Sequence, residues 1–215
     1  MILNLENPFL LSNFVDRTEF PQELNFEIFT HCYEPIVYLV QFFQKLPLQK
    51  NDLLNFPHVA FKNPESVYIG SNVAIDPFVY IEGPAWIGDG AKIKHGAYIR
   101  PYSFIDKGAV VGHSSEIKQS ILCRESKAAH FNYVGDSFIG PEANLGAGVK
   151  CANFKLDKGK IKLRALDKKL VTDQKKLGAI IGKGVAIGCN TVLSPGTMIN
   201  PYTKIPPSTH VSGYN

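Results

Sequence analysis

From Ile69 to Ile117 an aliphatic β-branched residue recurs at every sixth position: Ile69, Ile75, Ile81, Ile87, Ile93, Ile99, Ile105, Val111 and Ile117. Two positions before many of them stands a small or aliphatic residue, as at Val73, Val79, Ala85, Ala91, Ala97 and Ala109. Glycine or a polar residue often follows, as at Gly70, Asp76, Gly88 and Gly112. A helix repeats its apolar face about every 3.6 residues and a half-buried strand every 2, so neither produces this pattern. A fixed period of this kind predicts a β-solenoid. Each hexad supplies a short strand and a corner, and three hexads close a coil of about 18 residues. The aliphatic side chain points to the axis and stacks on its equivalents. A single coil cannot bury its own apolar face, so stability must come from stacking.

The period has two interruptions. Ile139 does not fall in register with Ile117, so residues 119–133 are expected to bulge or loop out. The repeat resumes at Ile139, Leu145 and Cys151, breaks over residues 153–178, and returns at Ile181, Ile187, Leu193, Ile199, Ile205 and Val211. Within the second break Ile161, Leu163 and Ala165 alternate with polar residues, which predicts a projecting β-hairpin arm. Residues 1–62 lack the repeat. Thr30, Ile36, Val37, Leu39, Val40, Phe43 and Leu46 suggest one helix capped by Thr30 and stopped by Pro47. This segment reads as the end cap that shields the first coil, and as a candidate subunit contact. The expected organisation is a cap segment over 1–62 and an all-β solenoid over 63–215, interrupted at 119–133 and 153–178.

Composition alters this picture little. The 215 residues are 45% hydrophobic and 20% charged, with a net charge of +4, too weak to argue for nucleic acid. The apolar run from Pro35 to Phe43 falls far below the ~20 residues of a membrane span. The start of the chain shows no secretory pattern. Cys32, Cys123, Cys151 and Cys189 form no CxxC pair, which points to a reduced, cytoplasmic protein with cysteines buried as small apolar residues. Charge does single out the second break, which holds nine Lys or Arg against three Asp. Such a run is either a solvated arm or the receptor of an anion such as a phosphate.

Candidate chemistry gathers around the first break and just beyond it. The stretches are Gly112-His113-Ser114-Ser115-Glu116-Ile117-Lys118, Lys127-Ala128-Ala129-His130-Phe131-Asn132-Tyr133-Val134-Gly135-Asp136, Asn144-Leu145-Gly146-Ala147-Gly148, and Asn153. Together with the repeat, they resemble the hexapeptide acyltransferases. The likeness is to the acetyltransferase half of the bifunctional enzymes that make UDP-N-acetylglucosamine, and to short stand-alone relatives of that half. The resemblance covers roughly residues 65–211. It implies a left-handed parallel β-helix, a homotrimer with sites between subunits, and acetyl transfer from acetyl-CoA to an amino-sugar phosphate such as glucosamine 1-phosphate. It makes His130 the catalytic base, gives the sugar phosphate to Arg100 and Lys118, and lines the sugar pocket with Tyr133, Asn144 and Asn153. The backbone N–H of Ala147 would meet the acetyl carbonyl, and Lys158 and Cys189 would help hold coenzyme A. The nucleotidyltransferase half of those enzymes has no counterpart in this sequence.

The residue types suit such chemistry in their own right. A protonated amine cannot attack a thioester, and a neutral imidazole can take its proton. Glu116 is a candidate to orient that imidazole. A fixed N–H donor stabilises the developing oxyanion, and the planar fork of Arg suits a phosphate. Two alternatives remain at this point. One is a non-catalytic trimeric scaffold or sugar-phosphate-binding protein. The other is a zinc site of the carbonic-anhydrase kind, because His95 and His113 are one coil apart and His130 follows.

Overall fold

A computed structural model describes residues 6–48 and 55–215. The repeat region winds as the expected left-handed parallel β-helix of three sheets. The first sheet has eight strands, from Ala60–Lys62 to His210–Val211. The second runs from Val67–Ile69 to Met198–Ile199 and the third from Ala74–Ile75 to Lys204–Ile205, with seven strands each. All ladder pairs between successive coils are parallel. The period residues form the core: Ile81, Ile99 and Ile117 in the first sheet, Ile87 and Ile105 in the second, and Ile93 and Val111 in the third are fully buried.

The corners explain why stacking is needed. Nearly every corner is turned by a residue with positive φ, and many of these are not glycine, including Phe78, Tyr102, Ser114, Glu125 and Phe131. Such a residue costs about 1–2 kcal/mol, against about 1.5–3 kcal/mol gained by burying one Ile or Val. The margin per hexad is thin, so a coil persists only with neighbours above and below it.

Residues 119–133 do not loop out. Ile121–Leu122 and Lys127–His130 are strands of the second and third sheets, paired on both sides. The register shifts because the coil shortens: Ile117 pairs with Val134 and Leu122 with Ile139, 17 residues apart, whereas Ile99 and Ile117 are 18 apart. The missing residues come out of the corner between the first and second sheets, where Gln119 and Asp136 take positive φ. The arm enters at the same corner one coil later, after Lys150–Cys151.

The arm is the expected hairpin, Lys162–Ala165 paired antiparallel with Lys168–Val171. It does not project freely: Ile161, Leu163 and Ala165 are buried in a second hydrophobic cluster. Of the expected cap, Phe56, Val59 and Phe61 pack against the axial core and Ala60–Lys62 is already a strand of the solenoid, while Phe9 to Leu46 belong to that cluster and lie along the side of the second sheet. Phe9, Leu11, Phe14, Phe20, Leu39 and Phe43 pack there with Phe104, Ile121, Phe138, Ile180 and Met198, which point outward from the sheet. Phe20 stacks on Phe138 at 6.2 Å and Phe42 meets Phe104 edge-on at 5.8 Å. Glu19 clamps the segment, accepting from Arg124 at 2.7 Å and Lys183 at 2.5 Å. Residues 1–5 and 49–54 of the expected cap lie outside the described residues.

The helix spans Glu34–Lys45 and buries Ile36, Leu39 and Phe43. Thr30 does not cap it. Glu34 reaches back and accepts from the N–H groups of Thr30 and His31 at 2.8 and 2.9 Å. Cys32, Cys123 and Cys151 are buried, but Cys189 is exposed. Burial pushes the Cys151 thiol up to about 12. No described helix is long and apolar enough to cross a membrane.

Candidate active site

Two outward rows of the first sheet carry the polar chemistry. One runs through Tyr80, Tyr98, Glu116, Tyr133 and Lys150. Beside it Lys118 stands next to Gly135, with Arg100 in the coil before, its N–H bonded to the Ile117 carbonyl. Arg100 donates to Glu116 at 2.8 Å and lies 5.8 Å from the Tyr98 ring centre. Bonding to Glu116 holds the Arg100 guanidinium above its usual pKa. Glu116 is therefore engaged along its own sheet by Arg100, and no bond ties it to His130.

Lys118 donates to both oxygens of Asp136, at 2.9 and 2.8 Å, and Asn153 donates to the same carboxylate. The Asp136 side chain is only 3% exposed, so this is an enclosed pair. The shortened corner builds it, because the left-handed backbone at Asp136, which Asp tolerates better than most residues, turns the chain there. Gly135 leaves room beside it. A Cβ at Gly135 would stand 2.6 Å from the Tyr133 hydroxyl and 2.7 Å from the Asn153 amide nitrogen. Burial, with Asp136 and Glu116 nearby, raises the Tyr133 phenol above its ordinary pKa and keeps it a hydrogen-bond donor.

His130 sits on the edge where the third sheet turns into the first. Its strand places it opposite His113, and the His113 ring stacks on His95 at 5.3 Å. Ala147 and Cys189 continue the same edge: Gly148 N–H donates to the His130 carbonyl, and Asn190 N–H to that of Ala147. The His130 imidazole is exposed, and the Ala147 N–H donates to no group among the described residues. Asn132 fixes this edge from within. It is 2% exposed, its Oδ1 accepts from His130 N–H at 3.1 Å, and its Nδ2 donates to the Gly146 carbonyl at 2.8 Å.

The structure thus brings Arg100, Lys118, Tyr133 and Asn153 together on one face, with His130, Ala147 and Cys189 along the adjoining edge. Asn144 is exposed on the third sheet, between Lys127 and Ala186, and touches none of them. Lys158 is exposed in a turn of the arm. Asp136 and Asn132 join the site unforeseen. Asn132 had a signal: it falls two before Val134, in the column where Val79, Ala97 and Ser115 carry no side-chain amide. Among the described residues no group of three or more His, Cys, Asp or Glu is placed to hold a metal ion.

Comparison with known proteins gives a family match over residues 81–213, to the family described as the GMPPB C-terminal domain. A bifunctional sugar-1-phosphate nucleotidylyltransferase/acetyltransferase from Sulfurisphaera tokodaii is 38% identical over 132 residues, which cover 53% of this chain and 33% of that protein. Bifunctional protein GlmU from Methanococcus aeolicus is 39% identical over 138 residues, covering 56% of this chain and 32% of that protein. A putative acetyltransferase of Bacillus cereus aligns over 73% of this chain and 78% of its own, at 18% identity and a TM-score of 0.41. The chain spans about a third of the length of the two bifunctional relatives.

Proposed function

For a chain that belongs to the GMPPB C-terminal domain family, we propose acetyl-CoA-dependent N-acetyl transfer to an amino-sugar phosphate such as glucosamine 1-phosphate. The observation that carries this reading is an exposed imidazole with a free N–H donor beside it, at the edge of a face where Tyr133, Asn153, Lys118 and Asp136 converge. The S. tokodaii relative, whose name includes acetyltransferase, supports it.

In this reading the sugar lies over Gly135 and bonds Tyr133 and Asn153. His130 removes the proton from the sugar ammonium, and the freed nitrogen attacks the thioester carbonyl. The Ala147 N–H donates to the oxyanion that forms. The new C–N bond leaves a surplus proton on the nitrogen; as the C–S bond breaks, that proton is lost and the departing coenzyme A thiolate is protonated in its place, while His130 keeps the first proton until it returns it to water. Asn132 acts through His130 and the Gly146 carbonyl and so positions both groups. Arg100 and Lys118 approach the phosphate from within existing ion pairs.

The test offers acetyl-CoA with glucosamine 1-phosphate and other amino sugars and follows thiol release. His130→Ala should lose at least about 100-fold in kcat, the range of a positioned base, with its unfolding curve unchanged because the side chain is exposed. Thiol release at parental rate in that variant, or from no acceptor with the parent, would reject the reading.

A further inference from the structure

The arm concentrates positive charge that the rest of the chain lacks. Residues 153–178 carry nine Lys or Arg against three Asp, a net +6, while the whole chain carries +4, so the other residues together are net negative. The hairpin has two faces. Leu163, Ala165 and Leu170 turn inward to the second hydrophobic cluster, and Lys168 on that same face donates to the Glu6 carbonyl. The opposite face holds Lys162 across from Val171 and Arg164 across from Lys169. The arm is firmly seated. A Cβ on Gly196 would stand 2.9 Å from Ile161 and 3.3 Å from Leu163, so the arm rests directly on the coil backbone.

Large apolar side chains stand in water among these cations. Leu166 at the hairpin tip is 66% exposed, Val171 and Phe154 are exposed, and Leu156, which shares a cleft with Lys162 and Arg164, is bare to solvent. Apolar surface gathered in this way marks a contact with a protein or a membrane. The arm's three acids do not cancel its charge. Asp173 is taken by Lys160 at 2.5 Å. Asp157 lies in the cleft and is taken by Lys155 at 2.7 Å. That bond, then the Gly159 N–H, with a smaller pull from Lys162, holds the Asp157 carboxyl below its usual range. Asp167 stands at the tip beside Leu166. The excess of +6 already counts all three.

Bare aliphatic side chains beside lysines narrow the partner. A nucleic acid strand is held by cations together with stacked aromatic rings, and Phe154 is the arm's one ring. The interface of an anionic bilayer suits both kinds of side chain. Its phosphates attract Lys and Arg, and its acyl boundary takes Leu, Val and Phe. The stems of Lys and Arg run along apolar surface while their charges stay among the headgroups. We propose that the outer face of the arm docks on an anionic lipid surface. Lys162, Arg164 and Lys169 meet the headgroups, and Leu156, Leu166 and Val171 enter the acyl boundary. The arm leaves the solenoid at the corner between the first and second sheets, whereas His130 lies on the edge between the third and the first. Docking therefore leaves that edge open, and the inference does not rest on acetyl transfer.

Flotation of the intact protein with lipid vesicles tests it. Vesicles of equimolar phosphatidylglycerol and phosphatidylcholine should carry the protein upward at low salt, and vesicles of phosphatidylcholine alone should not. Added salt should weaken the binding, because the screening length falls from about 8 Å at physiological ionic strength to about 3 Å at molar strength. Lys162→Gln with Arg164→Gln and Lys169→Gln should lower partitioning about fivefold per cation. Leu156→Ser with Leu166→Ser leaves the charge unchanged and should lower it at least about tenfold. All five side chains are exposed, so the unfolding curves of both variants should match the parent's. The proposal is overturned if anionic vesicles do not float the protein, if neutral vesicles float it equally, or if the charge variant floats as the parent does. A leucine variant that floats as the parent does leaves only diffuse charge attraction and overturns it as well. Capture by polyglutamate, with no binding to either vesicle, would assign the face to an acidic protein and not to lipid.

Discussion

At the scale of single residues, Gly135 controls the candidate sugar pocket through space alone. Its φ is not in the left-handed region, so a methyl group there adds no backbone strain. The atoms it would meet at 2.6 and 2.7 Å are the far ends of Tyr133 and Asn153, which can swing away. Gly135→Ala should therefore fold normally and raise KM for the amino-sugar phosphate, with KM for acetyl-CoA little changed. Steady-state kinetics with each substrate varied in turn reads the split. An equal rise in both constants would mean that Tyr133 and Asn153 do not touch the acceptor. Of this cluster, the sequence shows Arg100, Lys118, Tyr133 and Asn153 through their motif. It conceals Asp136, whose role depends on a corner one residue short. A hexad count records that deletion only as a lost register, which reads as a loop.

At the scale of elements, the inward positions are legible and the outward ones are not. Every aliphatic residue from Ile75 to Ile117 on the six-residue period is buried, because nothing but the axis can receive it. The outward row of the second sheet, with Trp86, Phe104, Ile121, Phe138 and Met198, is also apolar. That row is the signal that something covers this side, and the segment before the solenoid with the arm is what covers it. A polar remnant lies where the cover meets the corners. Asp106 is pushed above the usual carboxylate range by burial, which outweighs the N–H bonds from Lys107 and Arg124 and is reinforced by Glu23. The folded state then holds this proton more tightly than the unfolded chain. Its contribution to stability is greatest below the ordinary carboxylate value of about 4 and declines as pH rises through the raised folded value. Asp106→Asn removes the charge but keeps only one acceptor oxygen, so one of the N–H groups of Lys107 and Arg124, which go to different carboxylate oxygens, loses its partner at every pH. Denaturant unfolding between pH 4 and 7 should show a flatter pH dependence for the variant, with the difference between the two proteins moving in the variant's favour toward pH 7. Parallel curves for the two proteins would assign the slope to other groups.

At the scale of the whole molecule, the prism has one covered side and two bare ones. The second sheet lies under the N-terminal segment and the arm, whereas the first and third sheets carry the proposed site residues on diverging faces. Lys118 and Tyr133 point from the first sheet and Asn144 from the third, so one small ligand cannot touch all three on a single convex chain. If these residues form one site, a second copy must bring its own face opposite. Three copies arranged around an axis make three such sites, since cyclic symmetry repeats one contact. Light scattering should therefore give three times the mass of the chain. Mixing makes a sharper test. Lys118→Ala and Asn144→Ala should each depress acetyl transfer when assembled alone. In mixed trimers, a site that takes Lys118 from one copy and Asn144 from another regains both native side chains. Unfolding and reassembling the two variants together should then recover activity that neither variant has by itself. If the mixture is no more active than the average of its parts, Lys118 and Asn144 of each site come from the same copy or from no shared site, and the face-to-face arrangement is wrong.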